Sequence, residues 1–179
     1  MRKLTCPPEA EVLGAMSNIF VENLLGDVTA PIFKKYGLMN INLDKWYPLH
    51  PILSAFNELA QIPDVTSNMV AIGMKFGEAM PLDDQVRPFE TLLMGWDEGY
   101  QMHHRGADVG RIWIEKVTHT HFKTFYTIVY PDNFSYGVLY GFAKRFLPKG
   151  TNFTVFYDPD VPARDYGGTT DYTVIHLKY

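Results

Sequence analysis

Apolar residues recur along the first two-thirds of the chain at intervals of three and four, the period of helices with one buried face. Val12, Met16, Ile19 and Phe20 fit a helix over residues 9–25, opened by Pro7-Pro8 and stopped at Gly26-Asp27. A short helix is expected over 28–36, ending at Gly37. The run 43–48 reads as the approach to a third helix, in which Leu49, Ile52, Leu53, Phe56, Leu59 and Ala60 form the stripe and Pro63 closes it. Asp64 or Thr66 then caps a helix reaching to about residue 80, with Gly73 and Gly77 four apart on one face. After a turn at 81–84, one long helix is expected over 86–104, with Val86, Phe89, Leu93, Trp96 and Tyr100 as its buried stripe.

The period changes after Gly110. Segments 111–118 and 122–130 are rich in β-branched and aromatic residues and read as two strands joined by a turn at His119-Thr120-His121. A helix over 134–147 follows, with an apolar arc wide enough to be buried on more than one side and with Gly137 and Gly141 as a second pair of small residues. Strands over 151–157 and 171–179 complete the chain, separated by a loop containing Asp158, Asp160 and Asp165. Helices first and strands last argue for a single α+β domain, its N-terminal helical lobe (1–108) packed on a four-stranded antiparallel sheet (109–179).

Composition narrows the function classes. The chain has 179 residues, 46% hydrophobic, enough to bury a core without disulfides; Cys6 is its only cysteine, as suits a reducing, cytoplasmic setting. A net charge of −4 without a basic run argues against nucleic-acid binding. No apolar run has the roughly 18 residues of a membrane span. Phosphate loops, dinucleotide fingerprints, nucleophile elbows and zinc-type cysteine patterns are missing, so no catalytic residue is assigned and an enzyme is not favoured. The proline-interrupted aspartates of 158–165 read as a rigid turn, not a calcium loop.

The candidate chemistry lies elsewhere. His103 and His104 fall at the edge of the Phe89-Leu93-Trp96-Tyr100 stripe, where an apolar face meets a cavity or solvent. A neutral imidazole there can bind haem iron or another metal; the plainer reading is a solvated helix end favoured by the dipole. His119 and His121 read as turn residues, and His50 and His176 as structural. Phe89, Leu93, Trp96, Tyr100, Gly137, Tyr140 and Gly141 are the residues expected to border a ligand pocket.

From Gly110 onward, four segments carry a resemblance: Arg111-Ile112-Trp113-Ile114-Glu115, then Phe122 to Tyr130, then Tyr136-Gly137-Val138-Leu139-Tyr140-Gly141-Phe142-Ala143-Lys144-Arg145-Phe146, then Phe153-Thr154-Val155. The pattern resembles a superfamily of bacterial haem–nitric oxide/oxygen-binding (H-NOX) domains, 4-vinyl reductase-type domains and Bet3-like subunits of the TRAPP trafficking complex. The resemblance implies a helical lobe over an antiparallel sheet with a ligand cavity between them. In its H-NOX branch a histidine on the last helix before the sheet ligates haem, which would be His103 or His104. That branch holds the haem propionates through Tyr-x-Ser-x-Arg; the corresponding stretch Tyr126-Thr127-Ile128-Val129-Tyr130 keeps the tyrosine and lacks the arginine. A tyrosine does not replace a bidentate guanidinium contact to carboxylates, which argues against haem. The expected function is a sensing module for a small apolar or lipid-like ligand, with a homodimer or signalling partner. Two alternatives remain: a haem-based gas sensor and a structural dimerisation domain.

Overall fold

The computed structural model describes residues 2–23, 29–63, 65–80, 82 and 88–179, with backbone alone at 20–23 and 65–68. Its elements in order are β1 (Glu11–Leu13), α1 (Gly14–Asn23), α2 (Thr29–Lys35), β2 (Trp46–Pro48), α3 (His50–Leu59), α4 (Val65–Ala79), α5 (Phe89–Met94), α6 (Trp96–Met102) and β3 (His104–Arg105). Then follow β4 (Ile112–Thr118), β5 (His121–Tyr126), α7 (Asp132–Phe146), β6 (Thr154–Tyr157), a 3-10 turn at Arg164–Tyr166, and β7 (Thr173–Lys178). The fold is α+β, as the sequence predicts, with two antiparallel sheets ordered β2-β1-β3 and β4-β5-β7-β6.

The late sheet follows from its side-chain alternation. On β5, Phe122, Thr124 and Tyr126 are buried while His121, Lys123 and Phe125 occupy the other face. His121 therefore belongs to a strand and not to the predicted turn, and its Nε2 lies 2.8 Å from His176 Nδ1 on β7. Strand β5 also ends at Tyr126, four residues before the predicted end, because Thr127 Oγ1 and the Val129 N–H turn back to bond residues 109–111.

Three other expectations are corrected. Residues 11–13 form β1 instead of the start of a helix, and 46–48 form β2 instead of a helix approach, pairing at Val12↔Tyr47. Strands of two or three residues contain too few positions for a period to be visible. The predicted helix over 86–104 is two helices broken at Gly95, beginning at Phe89 and ending at Met102; 83–87 lie outside the described residues. The predicted stops at Gly26-Asp27, the Asp64 cap and most of the turn at 81–84 also lie outside them.

Helix α7 is the centre of the core. Pro131 stands at its N-cap position, Asp132 lies in its first turn, and Lys144 and Arg145 lie in its last, complementing the helix dipole. Two-thirds of it is buried, since α4 lies against one side and the late sheet against another. The α4 contact is backbone on backbone. A Cβ on Gly73 would come within 3.0 Å of the Gly137 Cα, and one on Gly141 within 2.9 Å of the Met74 Cα. Both glycine pairs noted in the sequence are thus spent on one helix crossing.

At the N-terminus of α7, Asp132 and Asp165 are buried and are met by Arg2 and Arg164. Arg164 donates to Asp132 Oδ1 and to the Ile128 carbonyl, and Thr173 Oγ1 donates to Asp132 Oδ2. Arg2 donates to the Tyr130 carbonyl. Two positive charges oppose two negative ones, so the cluster is electrically closed and fastens the chain start and the 3-10 turn to α7.

Candidate functional site: an apolar cavity between helices and sheet

Between the helical lobe and the late sheet lies a cavity of about 190 Å³. Met16 of α1, Phe76 of α4, Trp96 and Tyr100 of α6, and Phe142 of α7 line it from the helical side. Ile112 of β4, Tyr126 of β5, and Ile128 and Tyr130 beyond it line it from the sheet side. Trp96 stacks on Phe142 with ring centroids 5.0 Å apart and meets Tyr126 edge-on, so the wall is held by aromatic contacts.

Two imidazoles belong to the wall. Because α6 ends at Met102, His103 and His104 reach back along the last turn to carbonyls four residues earlier. His103 Nδ1 is 2.6 Å from the Gly99 carbonyl oxygen and His104 Nδ1 is 2.7 Å from that of Tyr100. A carbonyl only accepts, so each Nδ1 carries a proton, and in a neutral ring Nε2 carries the lone pair. His104 Nε2 accepts from the Tyr130 hydroxyl at 2.9 Å; His103 Nε2 has no partner among the described residues. Burial pushes the His104 pKa down to about 4, the Tyr100 carbonyl partly opposing it, so this ring is neutral at physiological pH.

The tyrosines divide by partner. Tyr100 donates to the Val109 carbonyl. Tyr130 donates to His104. The Tyr126 hydroxyl is buried and has no hydrogen-bond partner among the described residues. Burial drives its ionisation far up; Thr124 is near enough to oppose this slightly but not in hydrogen-bonding geometry. No Lys, Arg, Asp or Glu lines the cavity among the described residues.

Of the residues predicted from sequence, Trp96, Tyr100, His103 and His104 come together here. Phe89 and Leu93 are buried one to two turns earlier, where Phe89 packs on Phe142 and Tyr179. Gly137 and Gly141 face α4, and Tyr140 packs on Phe153. Missing from the sequence-based pocket were Met16, Phe76, Tyr126, Tyr130 and Phe142. The inward alternation Phe122-Thr124-Tyr126 was the available signal for one of them.

No known family profile matches the chain, and no curated protein matches it. Solved structures do. A point mutant of T. tengcongensis H-NOX superposes with a TM-score of 0.64 at 18% identity, covering 92% of this chain and 96% of that one. The chain has the H-NOX fold. An H-NOX protein from S. oneidensis in the Fe(II) ligation state gives 0.62 at 14% identity, covering 93% and 95%. An oxygen-binding H-NOX domain related to soluble guanylate cyclases, in its oxygen complex, gives 0.62 at 18%, covering 92% and 91%. These matches support the H-NOX branch of the resemblance and not its 4-vinyl reductase-type or TRAPP branches specifically. No helix among the described residues is long and apolar enough to cross a membrane.

Proposed function

We propose that this chain is a sensing module whose ligand is a small, apolar, uncharged molecule bound in the cavity between the helical lobe and the sheet. The observation that carries the reading is an apolar chamber in the H-NOX fold whose wall, among the described residues, contains few polar groups and no charged ones. Apolar surface provides affinity, and a few fixed polar groups provide orientation. Walls drawn from both lobes give an occupant a means of changing how the lobes are held, which a dimer or a signalling partner would read.

A haem gas sensor is the second reading. The fold neighbours include oxygen-binding and Fe(II)-ligated proteins. One feature of this chain favours it: both histidines hold Nδ1–H on a backbone carbonyl and leave Nε2 as the coordinating atom, the arrangement that orients metal-ligating imidazoles. Three features oppose it. The cavity of about 190 Å³ is below the roughly 300–1,000 Å³ of pockets for drug-sized ligands, and a porphyrin is larger still. The Tyr130 hydroxyl occupies His104 Nε2. By strict spacing from Tyr126, Ile128 and Tyr130 stand at the serine and arginine positions of the propionate motif, and no cation lines the wall among the described residues. The site as arranged does not fit a haem.

Purification from cells supplied with haem precursor separates the readings. The expected protein is colourless and, in native mass spectrometry, releases a neutral apolar molecule. A stoichiometric Soret band, lost on His103→Ala or His104→Ala, would overturn the first reading in favour of the second.

A further inference from the structure

Size and an orphaned donor together narrow the ligand class. An apolar cavity of about 150 Å³ holds one benzene. At about 190 Å³, this cavity is of the size that one ring carrying one or two further heavy atoms fills. Its polar groups are nearly all satisfied: Tyr100 by the Val109 carbonyl, Tyr130 by His104, and Ser135 Oγ by the Pro131 carbonyl. Two exceptions among the described residues are His103 Nε2, an acceptor in the neutral ring, and the Tyr126 hydroxyl, the wall's one buried donor without a partner. Tyr126 is 1% exposed, lies in the wall, and its hydroxyl has no partner among the described residues. An unmade hydrogen bond at such a depth destabilises the empty protein, and a ligand acceptor would remove that cost. A carboxylate is disfavoured as the acceptor, since no cation among the described residues of the wall would offset its desolvation.

We propose that the cavity selects an uncharged single-ring carbonyl compound, its ring among Trp96, Phe142 and Met16 and its carbonyl oxygen accepting from the Tyr126 hydroxyl. The proposal rests on the cavity being the ligand site. It goes further by naming the ligand's size, its charge and the residue that reads its polar end. His104 and Tyr130 act differently: they satisfy one another and add no demand on the ligand.

Benzaldehyde and styrene are near-isosteres, one ending in C=O and the other in C=CH2, and serve as probes in isothermal titration calorimetry. The wild-type chain is expected to bind benzaldehyde about tenfold more tightly, the worth of one buried hydrogen bond. Tyr126→Phe keeps the ring and should bring the two affinities together. Tyr130→Phe deletes a partnered hydroxyl from the same wall and should preserve the preference. Equal affinities in the wild type, or a preference that survives Tyr126→Phe, would overturn the carbonyl assignment and leave the cavity reading standing. If neither probe binds and neither raises the melting temperature, the cavity reading fails and this proposal falls with it.

Discussion

At the scale of single residues, the neutrality of His104 ties the cavity to pH. Its folded pKa of about 4 lies below the ordinary value of 6.5, so between those values the unfolded chain takes up a proton that the folded chain refuses. The stability held by this group is complete above about pH 6.5 and is lost as pH falls toward 4. At pH 5 the loss is about 2 kcal/mol relative to pH 7.5. Urea unfolding at the two pH values should show a drop smaller by about that amount in His104→Gln; equal drops would mean that His104 is not held neutral. The closed charge cluster offers a second test. Arg164→Ala would leave Asp132 and Asp165 facing Arg2 alone, and the expected destabilisation is about 3–5 kcal/mol by chemical denaturation. The partners of that cluster are up to 163 positions apart, which is why no local pattern announced it. His103 and His104 were legible because they continue a helical stripe. Tyr126 was legible as a motif position and from the inward alternation of its strand, Tyr130 only as a motif position, and nothing in the sequence says that one hydroxyl is partnered and the other not.

At the scale of elements, long periodic segments were readable and short ones were not. Helices α3 and α7 and the β4–β5 hairpin emerge within a few residues of their predicted places because each repeats its burial pattern several times. The β2-β1-β3 sheet was invisible: its strands have two or three residues and their partners are distant in sequence. The glycines of α4 and α7 were visible, but their purpose was not. Spacing of four fits a pocket border and a helix crossing equally, and only the crossing proved to be built from them. That distinction predicts opposite signs for the same substitution. Gly73→Ala drives a methyl into the backbone of α7 and should cost about 3 kcal/mol or more, because neither helix can withdraw without losing its packing. Gly99→Ala, inside α6, meets nothing within 4 Å and should stabilise by up to about 1 kcal/mol through helix propensity. Melting curves of the two variants check both signs; a harmless Gly73→Ala would show that α4 and α7 are not in backbone contact.

At the scale of the whole molecule, the cavity wall is assembled from pieces that do not otherwise touch at one place: α1, α4 and α6 from the helical lobe, β4 and β5 from the sheet, and α7 between them. An occupant therefore stabilises the molecule as a whole and not one lobe of it. At a ligand concentration one hundred times the dissociation constant, the native state gains about 2.7 kcal/mol. For a chain of this length that corresponds to roughly 5–10 °C in melting temperature. Amide exchange shows where the gain resides. With benzaldehyde bound, protection should rise together in the α6 turn carrying Trp96 to His104, in the Phe122–Tyr126 stretch of β5 and in the first half of α7. Those amides open through fluctuations that the ligand now opposes from both sides. The Arg2–Asp165 cluster and the outer strand β6 do not line the chamber and should exchange as before. Protection confined to the helical side would mean that the ligand rests on α6 without reaching Tyr126. The two lobes would then be uncoupled, and occupancy would have no route through α7 to a partner.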